Sequence, residues 1–578
     1  MTSSTQPLTE WRPILEHSQS LQSYLHGVSD MPLIGLRVGQ LLEQSARRHS
    51  DNDALIVPYQ NVRWSYAELN RQADETAAGL LALGLNPGDR VGIWAPNMAE
   101  WVVLQFATAK AGLILVNINP AYRLAELEFA LNQTGVCALI TVPSFKSSDY
   151  MAMLGELMPE IGKAQAGSLS AEKIPSLRWI ITLADSAAPG TITYEEVRAG
   201  ATDAARQQVQ ALGQTLQFDD PINIQFTSGT TGRPKAATLS HHNIVNNALF
   251  TGLQMKLTHR DRMCIPVPMY HCFGMVLGTL CCVAHGAAMV FASAGFDAEA
   301  TMEVVEAERC TALHGVPTMF IAALDSPGFA GRDLTSLRTG IIAGAPCPAE
   351  LMKRIMSQMH MEQITIAYGM TETGPVSTQT SVDDPVQRRV ETVGRVLPHT
   401  EIKIVDTEGR ITPRGTPGEL LTRGYCVMLK YWNDPEKTAS AIDEARWIAS
   451  GDIATVDAEG FFQIVGRIKD MLIRGGENIF PREIEDFLYT HPAIEQVEVI
   501  GAPDEKYGEE VCAWIKLREG QSATEDEIRA FCQGQIAHFK IPRYIKFVDE
   551  FPMTITGKVQ KFVMREQMAR ELEQAKEG

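Results

Sequence analysis

The chain has 578 residues, enough for three or four domains at about 150 residues each. Its 51 basic and 69 acidic residues give a formal net charge of −18, which argues against a general nucleic-acid binder and against adhesion to anionic membranes. Charged residues make up 21% and hydrophobic residues 45% of the chain, a balance typical of a globular protein and not of a disordered one.

The ten cysteines include no Cys-x-x-Cys pair, which indicates a reducing compartment and not a disulfide framework. The first ten residues contain no basic residue and no apolar stretch. We therefore expect neither a secretory signal nor an Arg-rich transit peptide, and a cytoplasmic location. Residues 272–292 are almost entirely apolar, but their three glycines favour a buried helix and strand over a transmembrane segment.

The N-terminal part of the chain predicts strands that alternate with helices. Strands are predicted at residues 90–95, 113–116 and 137–142, with helices between them at residues 98–110 and 124–131. This alternation is typical of a doubly wound α/β sheet. Farther along, residues 147–217 are rich in Ala, Ser, Gly and Glu and predict mostly surface helices and loops.

The last hundred or so residues predict a separate small α+β unit. Pro481 suits the first turn of one helix, and Thr524 with Glu527 forms a capping box for a second. Strands are predicted at residues 495–500, 511–517 and 544–548, and a hairpin at residues 453–465 precedes the unit. We expect an α/β protein with a large N-terminal domain, residues 1–468, and a small C-terminal domain, residues 469–578.

The richest motif is Thr227-Ser228-Gly229-Thr230-Thr231-Gly232-Arg233-Pro234-Lys235, which follows a predicted strand at residues 222–226. Its glycines let backbone N–H groups converge on phosphate oxygens, its hydroxyls donate further hydrogen bonds, and Lys235 supplies a positive charge. It is not a Walker A loop, which requires Gly-x-x-x-x-Gly-Lys-Ser/Thr. Taken alone, such a segment is more often a plain surface loop, so its interpretation depends on other motifs.

Five further motifs occur in order: Gly344-Ala345-Pro346, Ala367-Tyr368-Gly369-Met370-Thr371-Glu372-Thr373, Ser450-Gly451-Asp452, Gly466-Arg467-Ile468-Lys469-Asp470 and Thr554-Ile555-Thr556-Gly557-Lys558. With the phosphate motif they resemble the adenylate-forming superfamily of acyl- and aryl-CoA ligases, firefly luciferase and peptide-synthetase adenylation domains. Through Met269-Tyr270-His271-Cys272-Phe273-Gly274 the chain looks most like the medium-chain acyl-CoA synthetases. Ala236 departs from the glycine usual in the superfamily.

The resemblance implies an ATP site at these motifs. Tyr368 would stack on the adenine, Thr371 would bond the α-phosphate, and Glu372 would hold Mg²⁺. A metal also agrees with the chemistry, because a carboxylate beside phosphates is unfavourable unless a hard cation lies between them. Gly344, Ala345 and Pro346 would lie against the purine, and Gly369 would be a further nucleotide contact. Asp452 would accept from the ribose hydroxyls, and Arg467 would contact the ribose or a phosphate.

The resemblance also implies that the small domain is a mobile lid. Lys558 would reach the reacting carboxylate and the α-phosphate and stabilise charge as pyrophosphate leaves. Lys469 would lie at the hinge on which the lid turns. Gly475 and Gly476 would line the passage for the pantetheine arm of CoA.

His271 lies between an aromatic and an apolar segment. One interpretation is a histidine of the core; the other is a gate at the mouth of the acyl pocket. The sequence does not separate these two interpretations.

The sequence therefore predicts an ATP-dependent acyl-CoA ligase that binds a carboxylic acid, ATP, Mg²⁺ and CoA, forms an acyl-AMP intermediate and releases AMP and pyrophosphate. An aryl- or short-chain-acid ligase differs only in the pocket lining and remains an alternative. A peptide-synthetase module is disfavoured, because too few residues follow Lys558 for a carrier domain. A non-catalytic scaffold is disfavoured because Lys558 and Glu372 are present. Chain length of the acid and a homo-oligomeric state stay open.

Overall fold

The computed structural model describes residues 21–227, 234–345, 347–475, 477–553 and 559–577. Several residues singled out above lie outside these ranges: Ser228, Gly229, Thr230, Thr231, Gly232, Pro346, Gly476 and Lys558. The described residues form a mixed α/β structure with a large N-terminal domain and a small C-terminal domain, as the sequence predicts.

An eight-stranded sheet forms one layer of the large domain. In spatial order its strands are Ile192–Thr193, Trp179–Thr182, Val136–Thr141, Arg90–Trp94, Ile114–Asn117, Pro221–Thr227, Lys235–Ser240 and Lys430–Tyr431. The first six are parallel, and the last two join as antiparallel neighbours. The central strands are buried along their whole length, which explains their almost continuous apolar sequence.

A nine-stranded sheet forms a second layer. Its strands are, in spatial order, Arg395–Val396, Val376–Gln379, Gln363–Gly369, Thr339–Ile342, Ala312–Leu313, Arg262–Cys264, Ala288–Val290, Asp53–Val57 and Val62–Ser65. The interior strands are parallel, and both edges are antiparallel. Ligands of open parallel sheets bind beyond the carboxyl ends of the strands, so the segments after Ile342 and Gly369 are in the expected position for a site.

A five-stranded antiparallel sheet completes the large domain. Its strands are Tyr24–His26, Thr400–Val405, Gly418–Gly424, Ile448–Val456 and Phe462–Arg467. The last two form the hairpin that the sequence predicts around residues 457–460. The first of them begins at Ile448, so Asp452 lies inside the strand and faces Arg467 across the pair.

Helices cover the sheets and fill the space between them. In the large domain they are Val38–Arg48, Tyr66–Ala82, Ala99–Lys110, Leu124–Thr134, Tyr150–Leu157, Tyr194–Ala199, Asp203–Thr215, His241–Gln254, Cys281–His285, Ala298–Ala307, Pro317–Leu324, Ala349–Gln358, Val386–Glu391 and Pro435–Ala441. A π-helix, Phe273–Leu280, precedes Cys281–His285 and is wholly buried. Residues 272–292 thus form a buried helix and strand, as predicted.

The small domain is built on its own sheet. The strands Glu477–Ile479, Leu472–Arg474, Gly508–Leu517 and Ile494–Asp504 lie side by side, and Tyr544–Phe547 pairs with Gly508–Leu517. Its helices are Pro481–Leu488, Glu525–Cys532 and Lys561–Glu577. The predicted capping box is present: Thr524 accepts from the Glu527 N–H, and the Glu527 carboxylate accepts from the Thr524 N–H. A separate core centred on Ile484, Val497 and Ile515 packs behind the sheet.

The prediction for residues 147–217 holds for most of the segment but misses one buried strand. The composition of residues 147–217 indicates surface helices and loops, but Trp179–Thr182 is an internal strand of the eight-stranded sheet. Ile180 and Ile181 are completely buried in it. The strand is short and lies in a polar stretch, so the average composition hides it. Within the described ranges, no helix has both the length and the apolarity that crossing a bilayer requires.

His241 makes the stability of the large domain sensitive to acid. The ring is buried, and its Nδ1 accepts a hydrogen bond from the Val38 N–H at 3.1 Å. Burial, helped by the positive charge of Arg37, lowers its pKa to about 3. The unfolded chain therefore binds more protons than the folded chain between about pH 3 and about pH 6.5. The stabilisation is complete above about pH 6.5 and is lost as the pH falls.

We therefore expect acid to lower the free energy of unfolding by up to about 1.4 kcal/mol per pH unit through this one group. His241→Asn keeps an acceptor for the Val38 N–H but takes up no proton. Denaturant unfolding at several pH values between 6.5 and 4.5 should give a flatter pH dependence for the variant than for the wild type. Parallel slopes would contradict the assignment.

Candidate functional site

The two large sheets bring their strand ends together at Glu372. The carboxylate follows the strand Gln363–Gly369 of the nine-stranded sheet, in the short 3₁₀ turn Thr371–Thr373. Its Oε1 accepts hydrogen bonds from two residues of the eight-stranded sheet, the Thr227 hydroxyl at 3.1 Å and the Tyr431 hydroxyl at 2.8 Å. Lys235 lies on the same side, with Nζ 5.1 Å from the centre of the Tyr431 ring.

These four residues, Thr227, Lys235, Glu372 and Tyr431, are called the carboxylate cluster. Thr227 and Lys235 are direct partners across an antiparallel strand pair, so both ends of the phosphate motif are held beside Glu372. Glu372 is only 9% exposed. A buried carboxylate is costly unless donors satisfy it, and here two hydroxyls from the neighbouring sheet do so. The burial of Tyr431 raises the pKa of its own hydroxyl, and the negative charge of Glu372 raises that pKa further.

Thr371 and Cys272 lie next to the carboxylate cluster. Thr371 is 6% exposed and Cys272 is completely buried. Burial raises the pKa of the Cys272 thiol, the negative charge of Glu372 raises it further, and hydrogen bonding to Thr371 and Gln225 offsets part of the rise. The thiol therefore stays protonated and serves as a packing group, not as a nucleophile.

A second cluster joins the nine-stranded sheet to the antiparallel sheet. The Tyr368 hydroxyl donates to Asp452 Oδ2 at 2.7 Å, and Arg467 Nε lies 3.0 Å from Asp452 Oδ1. Asp452 is 7% exposed. Burial raises the pKa of Tyr368, and the charge of Asp452 adds to it. Three residues that are distant in sequence thus lie together, as the resemblance implies.

The segments at the ends of two neighbouring strands carry residues with little side-chain bulk. Gly344 follows the strand Thr339–Ile342 with a φ of +89°, in the left-handed region that favours glycine. A Cβ at Gly369 would lie 1.9 Å from the Pro375 carbonyl oxygen, so no side chain fits there. Ala345 is half-buried beside Gly344. Since Thr339–Ile342 and Gln363–Gly369 are neighbouring parallel strands, these small residues lie at one edge.

His271 lies just before the buried π-helix Phe273–Leu280 and is only partly buried. Its Nδ1 accepts from the Phe273 N–H at 3.3 Å, and its backbone oxygen accepts from the Met275 N–H. The ring is thus fixed at the first turn of the helix. This position is not that of a fully enclosed core histidine.

Lys469 and Gly475 lie on the side of the small domain. Lys469 is exposed in the 3₁₀ turn Ile468–Asp470, directly after the last strand of the antiparallel sheet. Gly475 has a φ of +58°, and its N–H donates to the Tyr507 backbone oxygen at 2.9 Å. These contacts fix Gly475 to the small-domain sheet and do not link it to the carboxylate cluster.

Sequence reasoning missed Tyr431. The residue belongs to a strand of only two residues, Lys430–Tyr431, at the edge of the eight-stranded sheet. A strand of two residues is too short to show periodicity, and Tyr431 belongs to none of the motifs. Its role follows only from the hydrogen bond to Glu372.

A metal ion at this site would depend on a bound ligand. In the part of the chain that the structure describes, no group of three or more His, Cys, Asp or Glu residues is arranged to hold an ion. Glu372 supplies one carboxylate, and its two hydroxyl donors both end on Oε1. Mg²⁺ is commonly bound in this way, by one or two carboxylates together with substrate phosphates and water.

Comparison with protein families gives two matches. Residues 42–432 match the AMP-binding enzymes, and residues 483–558 match the C-terminal domain of AMP-binding enzymes. The first match covers the carboxylate cluster and Tyr368. The second covers most of the small domain, including the position of Lys558.

Curated relatives align over nearly the whole chain. The zebrafish, Danio rerio, protein named medium-chain acyl-CoA ligase ACSF2, mitochondrial, is 49% identical over 95% of this chain and 91% of its own length. The human protein of that name is 47% identical over 95% of this chain and 90% of its own. A putative acyl-CoA synthetase, YngI, of Bacillus subtilis is 48% identical over 92% and 97%.

The expected cytoplasmic location is wrong. The vertebrate relatives are named as mitochondrial, and the bacterial one carries no location in its name. The cysteines on which the expectation partly depended are free throughout the described ranges. Free thiols indicate a reducing surrounding but do not separate one reducing compartment from another.

Solved structures share the fold. The anthranilate CoA ligase AuaEII, in complex with anthranoyl-AMP, superposes with a TM-score of 0.81 at 26% identity, over 94% of this chain and 99% of its own. ATP-bound MatB from Rhodopseudomonas palustris gives 0.78 at 30% identity, over 92% and 99%. The predicted resemblance is confirmed: the chain belongs to the AMP-binding enzyme family, the adenylate-forming superfamily, among its AMP-forming acyl-CoA synthetases.

Proposed function

We propose that the chain activates a medium-chain fatty carboxylate with ATP and transfers the acyl group to CoA. In the first step a carboxylate oxygen attacks the α-phosphorus, the bond between the α- and β-phosphates breaks, and pyrophosphate leaves. In the second step the CoA thiol loses its proton and attacks the acyl carbonyl, and AMP leaves. The names of the vertebrate relatives, medium-chain acyl-CoA ligases, support the substrate class.

The carboxylate cluster carries this proposal. Its members Thr227 and Lys235 are strand partners that flank residues 228–233 along the chain, and the Thr227 and Tyr431 hydroxyls both donate to Glu372. Lys235 would bind phosphate oxygens together with Ser228, Gly229, Thr230, Thr231 and Gly232. Thr227, whose single O–H donates to Glu372, would fix the start of this segment, and Thr371 would donate to the α-phosphate. Fixed donors of this kind stabilise charge that develops on phosphoryl oxygens without reorganising during the reaction.

Mg²⁺ belongs to the same proposal, with Glu372 as its protein ligand. Thr227 and Tyr431 both donate to Oε1, so neither hydroxyl occupies Oε2, and the Glu372 carboxylate would hold the ion. When bound, the ion would neutralise charge on the phosphates of ATP. The protein's own part is to hold the Glu372 carboxylate in one orientation through these two hydroxyls.

The nucleoside would lie beside Tyr368, at the ends of the strands Thr339–Ile342 and Gln363–Gly369. Gly344, Ala345, Pro346 and Gly369 have little bulk and would lie along the purine. Asp452 already accepts from Tyr368 and pairs with Arg467. A carboxylate has about four acceptor positions, so the ribose hydroxyls would be able to bind it without displacing either partner.

The small domain, residues 469–578, would act as a mobile lid on the large domain, residues 1–468. Support comes from the turn Ile468–Asp470, which separates the last strand of one sheet from the first strand of the next. Lys469 in that turn would be the hinge. Lys558 would serve the first step, and Gly475 with Gly476 would line the path of the CoA thiol arm in the second.

Lys558→Ala should separate the two steps. We expect acyl-AMP formation, measured as pyrophosphate release without CoA, to fall by roughly 10²–10³-fold, the loss typical of one group that stabilises transition-state charge. Conversion of supplied acyl-AMP and CoA to the thioester should change little. Lys516→Ala, at a lysine paired with Glu495 on the small-domain sheet, is the control. Equal loss in both steps would refute the role.

Tyr431→Phe tests the carboxylate cluster. The change removes one donor from Glu372 Oε1 without leaving a large cavity, so the carboxylate should orient less well. We expect kcat/KM to fall about tenfold, equivalent to about 1.4 kcal/mol, and the Mg²⁺ concentration for half-maximal rate to rise. Tyr425→Phe is the control, because that buried hydroxyl is not bonded to a carboxylate. An unchanged Mg²⁺ requirement would remove Tyr431 from the site.

His271→Ala tests the acyl pocket. AMP formation should be measured for straight-chain acids from short to long and for benzoate, since a solved neighbour is an anthranilate CoA ligase. The wild type should peak at medium chain length, and the variant should shift that peak. If the variant keeps the wild-type profile, His271 is no gate. If the wild type prefers benzoate, the fatty-acid assignment fails.

A further inference from the structure

Lys561 is a largely buried cation that lies close in sequence to the proposed catalytic lysine. It begins the last helix, Lys561–Glu577, three residues after Lys558. Its side chain is 17% exposed, and its Nζ pairs with the Glu485 carboxylate and with Glu498 Oε2 at 3.2 Å. Nζ also donates to the Val499 backbone oxygen at 3.2 Å. All three acceptors lie on the helix Pro481–Leu488 or the strand Ile494–Asp504.

This ion cluster joins one ammonium to two carboxyl groups, and burial raises the pKa of one of them, Glu498, to about 7 despite the nearby Lys561. Glu485 is 8% and Glu498 16% exposed at the side chain, and Glu485 Oε1 also accepts from the Val499 N–H at 2.8 Å. Burial lowers the pKa of Lys561, but the attraction of Glu485 and Glu498 outweighs it and leaves the pKa raised. Lys561 therefore stays charged. Buried ion pairs add little net stability, since desolvation offsets their attraction, so what this cluster supplies is a fixed position.

The backbone next to Lys561 is fixed at the same place. Met553 and Val559 form an antiparallel bridge, and the Gln560 N–H donates to the Pro552 oxygen at 2.7 Å. Residues 554–558, which include Lys558, therefore lie between the two bridged residues Met553 and Val559, called the bracket. Lys561 follows this bracket by two residues and ties it to the helix Pro481–Leu488 and the strand Ile494–Asp504.

The same helix also reaches the domain boundary. Arg565, one turn beyond Lys561, donates to Asp470 Oδ1 at 3.1 Å, in the turn Ile468–Asp470. Residues four apart lie on one side of a helix. One side of the helix therefore connects the bracket around residues 554–558 both to the sheet and to the boundary turn.

We propose that Lys561 is a positioning residue for the adenylation step: its ion pairs with Glu485 and Glu498 fix the point at which the Lys558 segment joins the small domain. The proposal rests on the proposed function, because it takes Lys558 to act in adenylation alone. Loosening this anchor would displace the Lys558 ammonium relative to the α-phosphate. The thioester step does not need that ammonium and would not be affected.

The test compares Lys561→Met with Lys558→Ala in the two separate half-reactions, on the full chain. Met keeps the length of the side chain and removes the charge. We expect pyrophosphate release to fall roughly ten- to hundredfold, the scale of a misplaced catalytic group, while thioester formation from supplied acyl-AMP stays within about twofold. Lys561→Arg, which keeps the charge, should recover most of the rate.

Two further variants keep the result decisive. Glu485→Gln retains the shape and the acceptor for Val499 but weakens the ion pair, and it should show the same selective loss to a smaller degree if Lys561→Met does not fold. Lys516→Met removes the lysine of the Lys516–Glu495 pair on the same sheet and should leave both steps unchanged.

The outcomes separate the two proposals. Suppose that Lys558→Ala is selective for adenylation. If Lys561→Met and Glu485→Gln then lower the rates of both steps equally, or lower neither rate, Lys561 has only a structural role and this inference is overturned. If Lys558→Ala itself lowers both steps equally, the proposed role of Lys558 and this inference both fail. Selective loss in both variants, with recovery in Lys561→Arg, supports it.

Discussion

The arrangement of the large domain depends on how a buried carboxylate is satisfied. Glu372 lies in the turn that follows a strand of the nine-stranded sheet, yet its two hydroxyl donors, Thr227 and Tyr431, belong to the eight-stranded sheet. A carboxylate at 9% exposure is tolerated only with such donors. The relative position of the two sheets is therefore fixed most closely where their strand ends meet, and that place is also the candidate site.

A similar polar contact holds the third sheet. Asp452 in the antiparallel sheet accepts from Tyr368 of the nine-stranded sheet and pairs with Arg467 on the adjacent strand. The two clusters share one short segment of the chain, residues 368–372. Tyr368 belongs to the second cluster and Glu372 to the carboxylate cluster. A shift of that segment would disturb both clusters together, so the groups proposed for phosphate, ribose and purine act as one preorganised unit.

Much of this was accessible from the sequence. The alternation of apolar strands and helices, the hairpin near residues 457–460 and the capping box at Thr524 are local patterns, and each is confirmed. The family followed from the order of six motifs, which is a property of the whole chain. Trp179–Thr182 was missed because burial of that strand is decided by its neighbours in the sheet. Tyr431 was missed because its significance depends on a contact between residues 59 positions apart, which no local pattern records.

Arg467 has one more consequence. It pairs across the strands with Asp452, and the very next residue begins the turn Ile468–Asp470 that leads into the small domain. Under the proposed roles, a nucleotide that binds Asp452 would act on Arg467, the last residue before the turn into the lid. Communication between the nucleotide site and lid orientation then needs no long chain of packed side chains. It would pass through the single peptide bond between Arg467 and Ile468, so a change in the Asp452–Arg467 pair would act directly on the turn that leads into the lid.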